Sequence, residues 1–565
     1  MNFKKTIIII TLLQVILPQN IFGNDDAPKS YFVKPIDVIC DYPFDDVNKL
    51  AVTCRIWGLL KYYHPNVTAG NLDWDSVLIN RLVKINEAKT AEQVNAELMK
   101  MIQTAGKYEV QKDDTWNDSL NMNVNLCWLD NSFINDSIRQ ILKEIASLTV
   151  TNHWYFFDTD WDTPNNTPNN EKDYPIGIVN VPFEYSMLAL FRYWNVIYYF
   201  FPYKYLMDQS WDATLSEFIP IFPKTTLVAD YHKSIQKLAS RINDGHGFTS
   251  RSIGPIAANT VPSNNYLAFV DSSTVVRNPP EGSMLKRGDI ILNIKGKTIQ
   301  SLKDSIMPLI PSSNRRFTYR IFNDYIFDSM IGNGCEMTVM RNQQEITFQE
   351  PRKIIPDTAF ISSPSKPISS DIFYLNLGKL KTKDMPAILD SLNNYKGVII
   401  DMRNSFDRMA FFIHYYFSQT QEYCFSMVAR VDSFHPGAFY KEELFLKCPD
   451  ESWLKREEYT GKKVLLIDER MMSLGETWAM LFKLNGFTLI GTPTAGANGD
   501  IKSIPLPGYN LTAYYSGLGW YYPNGEQMQR TGIIPDIEVY PTMDDIMAGR
   551  DEVIEAAIGY INSNK

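Results

Sequence analysis

The chain is poor in the side chains that most often build metal and redox centres, with six cysteines and six histidines among 565 residues. The cysteines stand at 40, 54, 127, 335, 424 and 448, without CxxC spacing or the density of a disulfide scaffold. Neither structural zinc nor a disulfide framework is expected. Excess positive charge is lacking too: 55 Lys and Arg face 64 Asp and Glu, a net charge of −9. That balance argues against a phosphate backbone as partner, so no nucleic acid is expected. Beyond the N-terminus no apolar run approaches the roughly 20 residues of a membrane-spanning helix, so no transmembrane segment is expected in the mature chain. What the chain does have is 45% hydrophobic and 13% aromatic residues, ample for packed cores. Its length implies three or more units at roughly 100–200 residues each.

The N-terminus opens with Asn2-Phe3-Lys4-Lys5, and Thr6 to Leu17 then forms a short apolar run broken by Pro18-Gln19-Asn20. This pattern predicts an export signal over residues 1–23, cleaved near Gly23. An uncleaved anchor is the alternative. The mature chain is then expected in the periplasm or cell envelope.

Residues 57–75 and 194–212 align without a gap. Trp57, Tyr62, Pro65, Trp74 and Asp75 recur as Trp194, Tyr199, Pro202, Trp211 and Asp212, each offset by 137. The spacing predicts paired amphipathic helices, each first helix ended by its proline. Packing explains these aromatics better than a ligand surface, because His64 in the first copy becomes Phe201 in the second. The expected organisation is a helical domain over 24–157, a linker over 158–180, and a second helical repeat over 181–255. The linker is rich in Asn, Asp, Thr and Pro and reads as a mobile surface segment. It lacks the spacing of a calcium loop.

From Asp371 onward strands and helices alternate, which predicts a parallel sheet. Strand Phe373–Leu377, helix Asp384–Leu392, strand Gly397–Asp401, helix Met409–Phe417 and strand Val464–Asp468 lead to a turn ending at Ser473. A helix to about Leu484 and the strand Phe487–Gly491 follow. Ser473 thus stands where a buried strand hands over to a helix, beside the free N–H groups of a first helical turn. A serine there can act as a nucleophile if a base takes its proton and donors hold the oxyanion. Among the histidines, His246 is distinguished by its frame Asp244-Gly245-His246-Gly247, whose glycines permit close approach.

Several stretches together resemble the C-terminal processing, or tail-specific, serine peptidase family. They are DGH at 244–246, LKRGDIILNIKGKTI at 285–299, the Asp-Met-Arg of 401–403, VLLIDERMMSLGE at 464–476, GTPTAGANG at 491–499 and TGIIPDIEV at 531–539. The resemblance covers roughly residues 180–545 and includes the tricorn-like branch. The paired Trp and Pro helices resemble the N-terminal caps of exported Bacteroidetes members. It implies an α/β fold: a crotonase-like catalytic core over 353–565, an inserted PDZ-like β-domain over 256–352 and an N-terminal helical cap. The implied function is that of an exported serine endopeptidase acting on polypeptides, with no cofactor and no metal. The family's Ser-x-x-Glu motif makes Ser473 the nucleophile and places Glu476 three residues on.

Thr494-Ala495-Gly496 is followed by Ala497 where the Ser/Lys branch has lysine, so His246 becomes the implied general base. Where the tricorn-like branch carries a glutamate this chain has Gln529, with Glu526 three residues earlier; either is a candidate to orient His246. The oxyanion donors are expected near Leu474 and Asn404, although Asn404-Ser405-Phe406-Asp407 lacks the glycines of the family's Asn-x-Gly-Gly. These departures motivate the alternative of a peptide-binding or scaffold protein that kept the fold after losing catalysis. The PDZ-like domain would hold a polypeptide beside its edge strand, with a carboxylate loop near Asn265 to Phe269.

Overall fold

The computed structural model describes residues 40–563, apart from 109–118, 151–154, 159–166, 175–179, 251–265, 332–333, 352–364, 381–382, 404–408, 419, 448–456 and 509. The expected export signal lies outside the described residues. Among the described residues no helix is long and apolar enough to cross a membrane.

The duplicated sequence folds as duplicated structure. Helices Asn48–Tyr63 and Phe183–Phe200 run to the residue before the His64-Pro65 and Phe201-Pro202 steps, because a proline cannot continue the hydrogen-bond ladder. Helices Trp74–Glu87 and Trp211–Phe218 then start behind side-chain caps at Asp73 and Ser210, themselves 137 residues apart. Within each copy the two tryptophans exchange indole hydrogen bonds. Trp57 and Trp74 donate to each other's carbonyls at 3.1 and 3.0 Å, and Trp194 and Trp211 do so at 2.8 and 2.9 Å.

The copies also lock to one another with reciprocal contacts. Arg55 of the first reaches Asp212 of the second at 2.9 Å, and Arg192 of the second reaches Asp75 of the first at 2.6 Å. Tyr62 meets its counterpart Tyr199 edge-on at 5.2 Å between ring centroids. Gly58 lets the two long helices touch, since a Cβ there would fall 1.8 Å from Asn195 Oδ1. Both copies therefore share one apolar core, which also takes in Ile504, Leu506, Leu511, Ala513 and Tyr515 from a hairpin of the C-terminal half.

Two expectations change here. Cys40 and Cys127 form a disulfide that closes 87 residues of chain; they lie far apart in sequence, so spacing gave no sign of it. Glu171, expected in a mobile linker, is buried: its carboxylate meets Lys61 at 2.5 Å and Arg192 at 2.9 Å. The turn-rich composition around it concealed one residue whose charge is matched inside the helical core.

Residues 267–350 form an antiparallel sheet of strands Leu267–Val270, Ser273–Val276, Ile290–Ile294, Cys335–Arg341 and Gln344–Glu350, with Lys297–Thr298 paired to the third. Leu267–Val270 is an edge. Helices Ile299–Ile306 and Arg315–Ile331 lie between its third and fourth long strands in sequence.

The C-terminal half is built on a second sheet. Strands Ile372–Asn376, Gly397–Asp401, Lys462–Ile467, Thr488–Gly491 and Ile537–Glu538 are consecutive parallel neighbours, with the short antiparallel strand Lys366–Pro367 at one edge. The central strands are apolar and buried on both faces, as a helix-covered parallel sheet requires. Two antiparallel hairpins were not expected: Glu422–Val431 with Ala438–Lys447, and Ile501–Leu506 with Leu511–Ser516. The chain is thus a mixed α/β protein.

Candidate functional site

The parallel strand Lys462–Ile467 delivers the chain to a turn that ends at Ser473 and enters helix Leu474–Leu484. Ser473 has φ +56° and ψ −120°, a region that a side chain other than glycine occupies at a cost. The conformation is held from outside the turn, by the Ser473 N–H donating to the Ala497 carbonyl at 2.8 Å. It turns a partly exposed serine out of a buried strand end. The Leu474 N–H opens the helix and has no backbone partner among the described residues, as an oxyanion donor requires. Its side chain is half exposed.

Glu476, one turn into that helix, is fully buried. Its carboxylate accepts from the Thr494 hydroxyl and from the N–H groups of Gly496 (2.8 Å) and Ala497 (3.0 Å). Burial pushes its pKa up to about 7, against the opposing pull of those hydrogen bonds and of His246. The Ser-x-x-Glu motif therefore fastens the serine's helix to the 494–497 turn, and that turn supplies the carbonyl that holds Ser473. Ala497, standing where a lysine base would be, is buried within this joint.

His246 arrives on the turn after helix Val228–Ser240. Gly245 packs so tightly that a Cβ would lie 2.9 Å from Ala497 Cβ and 3.0 Å from Met472 Sδ. The histidine's turn is thereby seated on the residue that precedes Ser473. Among the described residues Ser473 Oγ and His246 share no hydrogen bond; such bonds are commonly long without substrate and tighten when it binds. The imidazole is buried, with Nδ1 2.9 Å from Ser516 Oγ and 3.5 Å from Asp244 Oδ1.

The expected orienting residues are placed differently. Among the described hydrogen bonds Gln529 makes none to His246: its Nε2 donates to Asp244 Oδ1 at 3.1 Å, and its Oε1 accepts from the Asn498 N–H at 3.1 Å. Glu526 is exposed, its backbone joined to Asn524 and Tyr522 in a turn. The carboxylate beside the imidazole belongs instead to Asp244, fully buried and two residues before His246. It accepts from the His246 N–H (3.1 Å), the Ser516 N–H (2.9 Å) and Gln529. Burial raises the Asp244 carboxyl, but the hydrogen bond and charge of His246, with the Ser516 bond, outweigh it and hold the group below its ordinary value.

Sequence reasoning named DGH as a motif without giving its aspartate a task, and it missed Ser516, which no motif marks. Asn404 lies outside the described residues. Among the described residues no group of three His, Cys, Asp or Glu is arranged to hold a metal ion.

Comparison with known proteins bears on the same region. Residues 371–539 match the model of peptidase family S41, a span that holds Ser473, Glu476 and Gln529 and that Asp244 and His246 precede. A Chlamydia pneumoniae protein designated CPj1016/CpB1054 is 32% identical over 102 residues, which are 17% of this chain and 16% of that protein's length. Among solved structures, a putative peptidase from Parabacteroides merdae is 16% identical with a TM-score of 0.41, covering 68% of this chain and 98% of that one. The photosystem II D1 C-terminal processing protease is 13% identical with a TM-score of 0.36, covering 67% and 98%. Mature CPAF in complex with lactacystin is 11% identical with a TM-score of 0.47, covering 67% and 97%. Residues 371–539 thus carry a peptidase family S41 domain, that of the C-terminal processing peptidases, which supports a serine-type peptidase hydrolase.

Proposed function

We propose that this chain is an exported serine endopeptidase of polypeptides, with Ser473 as nucleophile and His246 as general base. One observation carries the reading: a serine held at φ +56° at a helix start, with the His246 turn packed against the residue before it. His246 Nε2 takes the Ser473 hydroxyl proton as Oγ attacks the peptide carbonyl carbon, and the developing oxyanion accepts from the Leu474 N–H. When the tetrahedral intermediate collapses, the C–N bond breaks and the imidazolium returns the proton to the leaving amine. Water then resolves the acyl-enzyme by the same route. The positive-φ backbone sets the hydroxyl's direction before substrate arrives, so less ordering remains for the reaction step.

The core is read as crotonase-like and the 267–350 sheet as PDZ-like. Its edge strand Leu267–Val270 is the natural place for a substrate segment to add as a further strand. Export to the periplasm or cell envelope is supported by the N-terminal apolar run and by the Cys40–Cys127 bridge, since disulfides persist in oxidising compartments.

The test is labelling by a fluorophosphonate probe of the mature chain alongside folded Ser473→Ala and His246→Ala proteins. Labelling of the wild type that both substitutions abolish is the expected outcome. A wild type that stays unlabelled while a control serine peptidase reacts would overturn it in favour of a peptide-binding protein without catalysis.

A further inference from the structure

The S41 resemblance places an orienting carboxylate at position 529, yet this chain has an amide there, and that amide hydrogen-bonds an aspartate rather than the histidine. We propose that the carboxylate that orients His246 is Asp244, within the histidine's own turn, and that Ser516 and Gln529 are positioning residues completing the assembly. The inference rests on His246 being the base and adds to that reading which groups hold it.

Three features of the geometry support it. The imidazole Nδ1 lies between two oxygens, Ser516 Oγ at 2.9 Å and Asp244 Oδ1 at 3.5 Å. A nitrogen facing a hydroxyl and a carboxylate carries the proton, because a bare lone pair there would face the carboxylate's negative charge. The neutral ring is then the Nδ1–H tautomer, with its lone pair on Nε2, where a base for Ser473 needs it. Secondly, Asp244 is not free to turn away: three donors from three chain segments, His246 N–H, Ser516 N–H and the Gln529 amide, fix its two oxygens. Thirdly, those donors account for the amide at 529. A carboxylate there would face Asp244 across 3.1 Å inside the protein, a like-charge contact, whereas an amide supplies a donor to Asp244 and an acceptor to the Asn498 N–H. In this chain the amide at 529 is the group that leaves Asp244 as the carboxylate nearest His246.

Histidine becomes imidazolium during proton transfer, and Asp244 carries the compensating charge. Replacing it with asparagine keeps the shape and removes that charge, and it also allows the amide to hold the wrong tautomer. For a triad aspartate such a change costs about 10⁴-fold in turnover. With Ser516 retained at Nδ1, the loss expected here is about 10²- to 10⁴-fold.

The experiment is the rate of fluorophosphonate labelling as a function of pH for wild type, Asp244→Asn and Gln529→Ala, each checked for folding by thermal melting. The plateau and the inflection of that profile report the group that activates Ser473. Asp244→Asn should lower the plateau by about 10²- to 10⁴-fold and move the inflection to lower pH, since the imidazolium loses its counter-charge. A substitution that only loosened the fold would lower the plateau without moving the inflection. Gln529→Ala should lower the plateau about tenfold with a smaller displacement. A folded Asp244→Asn protein with the wild-type plateau and inflection overturns the proposal. So does a larger displacement in Gln529→Ala than in Asp244→Asn.

Where Asp244→Asn does not fold, ¹⁵N-histidine NMR of the Ser473→Ala protein decides instead, with the His246 signal assigned from its loss in Ser473→Ala/His246→Gln. In the neutral ring the Nδ1–H tautomer supports the proposal and the Nε2–H tautomer refutes it. That measurement needs no turnover, so a wild type that fails to label would end the peptidase reading while leaving the placement of the carboxylate separately answerable.

Discussion

Replacing Glu171 with glutamine should destabilise the helical region severely, although the residue stands in a segment whose composition is that of a surface loop. Glu171 and its partners Lys61 and Arg192 have side chains with 0% exposure. Arg192 keeps a second carboxylate in Asp75 at 2.6 Å, but the Lys61 ammonium pairs directly with Glu171 alone among the described carboxylates, at 2.5 Å. Its rings of contact are Trp57 and Phe156, with the nitrogen 4.6 and 4.3 Å from their centroids, which soften the loss without neutralising the charge. Removing one partner of a buried pair costs about 3–5 kcal/mol, because the other charge stays desolvated. For a unit of roughly 200 residues that corresponds to a fall of about 6–20 °C in Tm.

Burial already holds the Lys61 ammonium below its ordinary range, with Glu171 and Asp75 opposing. In Glu171→Gln that opposition weakens, so the folded-state pKa falls further below the unfolded one. The deficit is full only below the folded-state pKa, where both states carry the charged lysine, and it shrinks as pH rises from there to the unfolded lysine's ordinary range, so it is larger at pH 7 than at 9.5. Urea unfolding of wild type and variant at pH 7 and 9.5 measures both effects. The double substitution Lys61→Met/Glu171→Leu, which removes both charges, should return to within about 1 kcal/mol of wild type. A Glu171→Gln protein within about 1 kcal/mol of wild type at pH 7 would refute the buried cluster and restore the segment to a solvated loop.

Glu476 carries a pH dependence of the opposite kind to an ordinary ion-paired carboxylate. Its folded pKa of about 7 exceeds the unfolded 4.5, so the folded state binds the extra proton. Its term is most favourable below pH 4.5 and is lost as pH rises to 7, by up to about 3 kcal/mol. Glu476→Gln should lack that dependence, so its unfolding free energy relative to that of wild type should rise by up to about 3 kcal/mol from pH 4.5 to 7; a constant difference would contradict the assignment. For the disulfide, closure of an 87-residue loop is worth about 4–5 kcal/mol in the chain-entropy account. Cys127→Ser should lower the melting temperature, and added reductant should lower that of wild type while leaving the variant unmoved; a Cys40–Cys127 peptide absent from a non-reducing digest would refute the bridge.

Much of the parallel core was legible because each element announces itself locally. The strand Gly397–Asp401 and the helices Met409–Phe417 and Leu474–Leu484 fall where apolar runs and their punctuation place them. The Trp-Pro-Trp-Asp repeat was legible for a related reason, since identical residues at one offset imply identical local packing. What stayed hidden is what depends on distant partners. The hairpin Ile501–Leu506 with Leu511–Ser516 has a mixed pattern that signals no single face, and it exists because one side completes the helical core. Asp244 was visible as a letter of a motif, but its task depends on Ser516 and Gln529, each more than 270 residues away. The Glu171 charge cluster shows the same limit, with partners at Lys61 and Arg192 on two different helices.

That hairpin also ties the duplicated helical region to the candidate site. Arg192, which closes the reciprocal ion pairs of the repeat, donates to the Pro505 carbonyl at 2.7 Å. Tyr231 donates to the Pro507 carbonyl at 2.6 Å. Tyr203, three residues past the second repeat's long helix, donates to the Asn498 carbonyl at 2.8 Å and accepts from the Trp520 N–H. Asn498 is the residue whose N–H binds Gln529, and the hairpin ends at Ser516, whose hydroxyl and N–H meet His246 and Asp244. The helical repeats therefore brace, through side chains buried in their own core, the hairpin and turn that meet His246 and Asp244. Loosening the repeat should disturb the imidazole before it disturbs the parallel sheet, because the sheet keeps its own core of Leu465, Ile467 and Leu489, packed against Ala479 and Phe482 of the serine's helix.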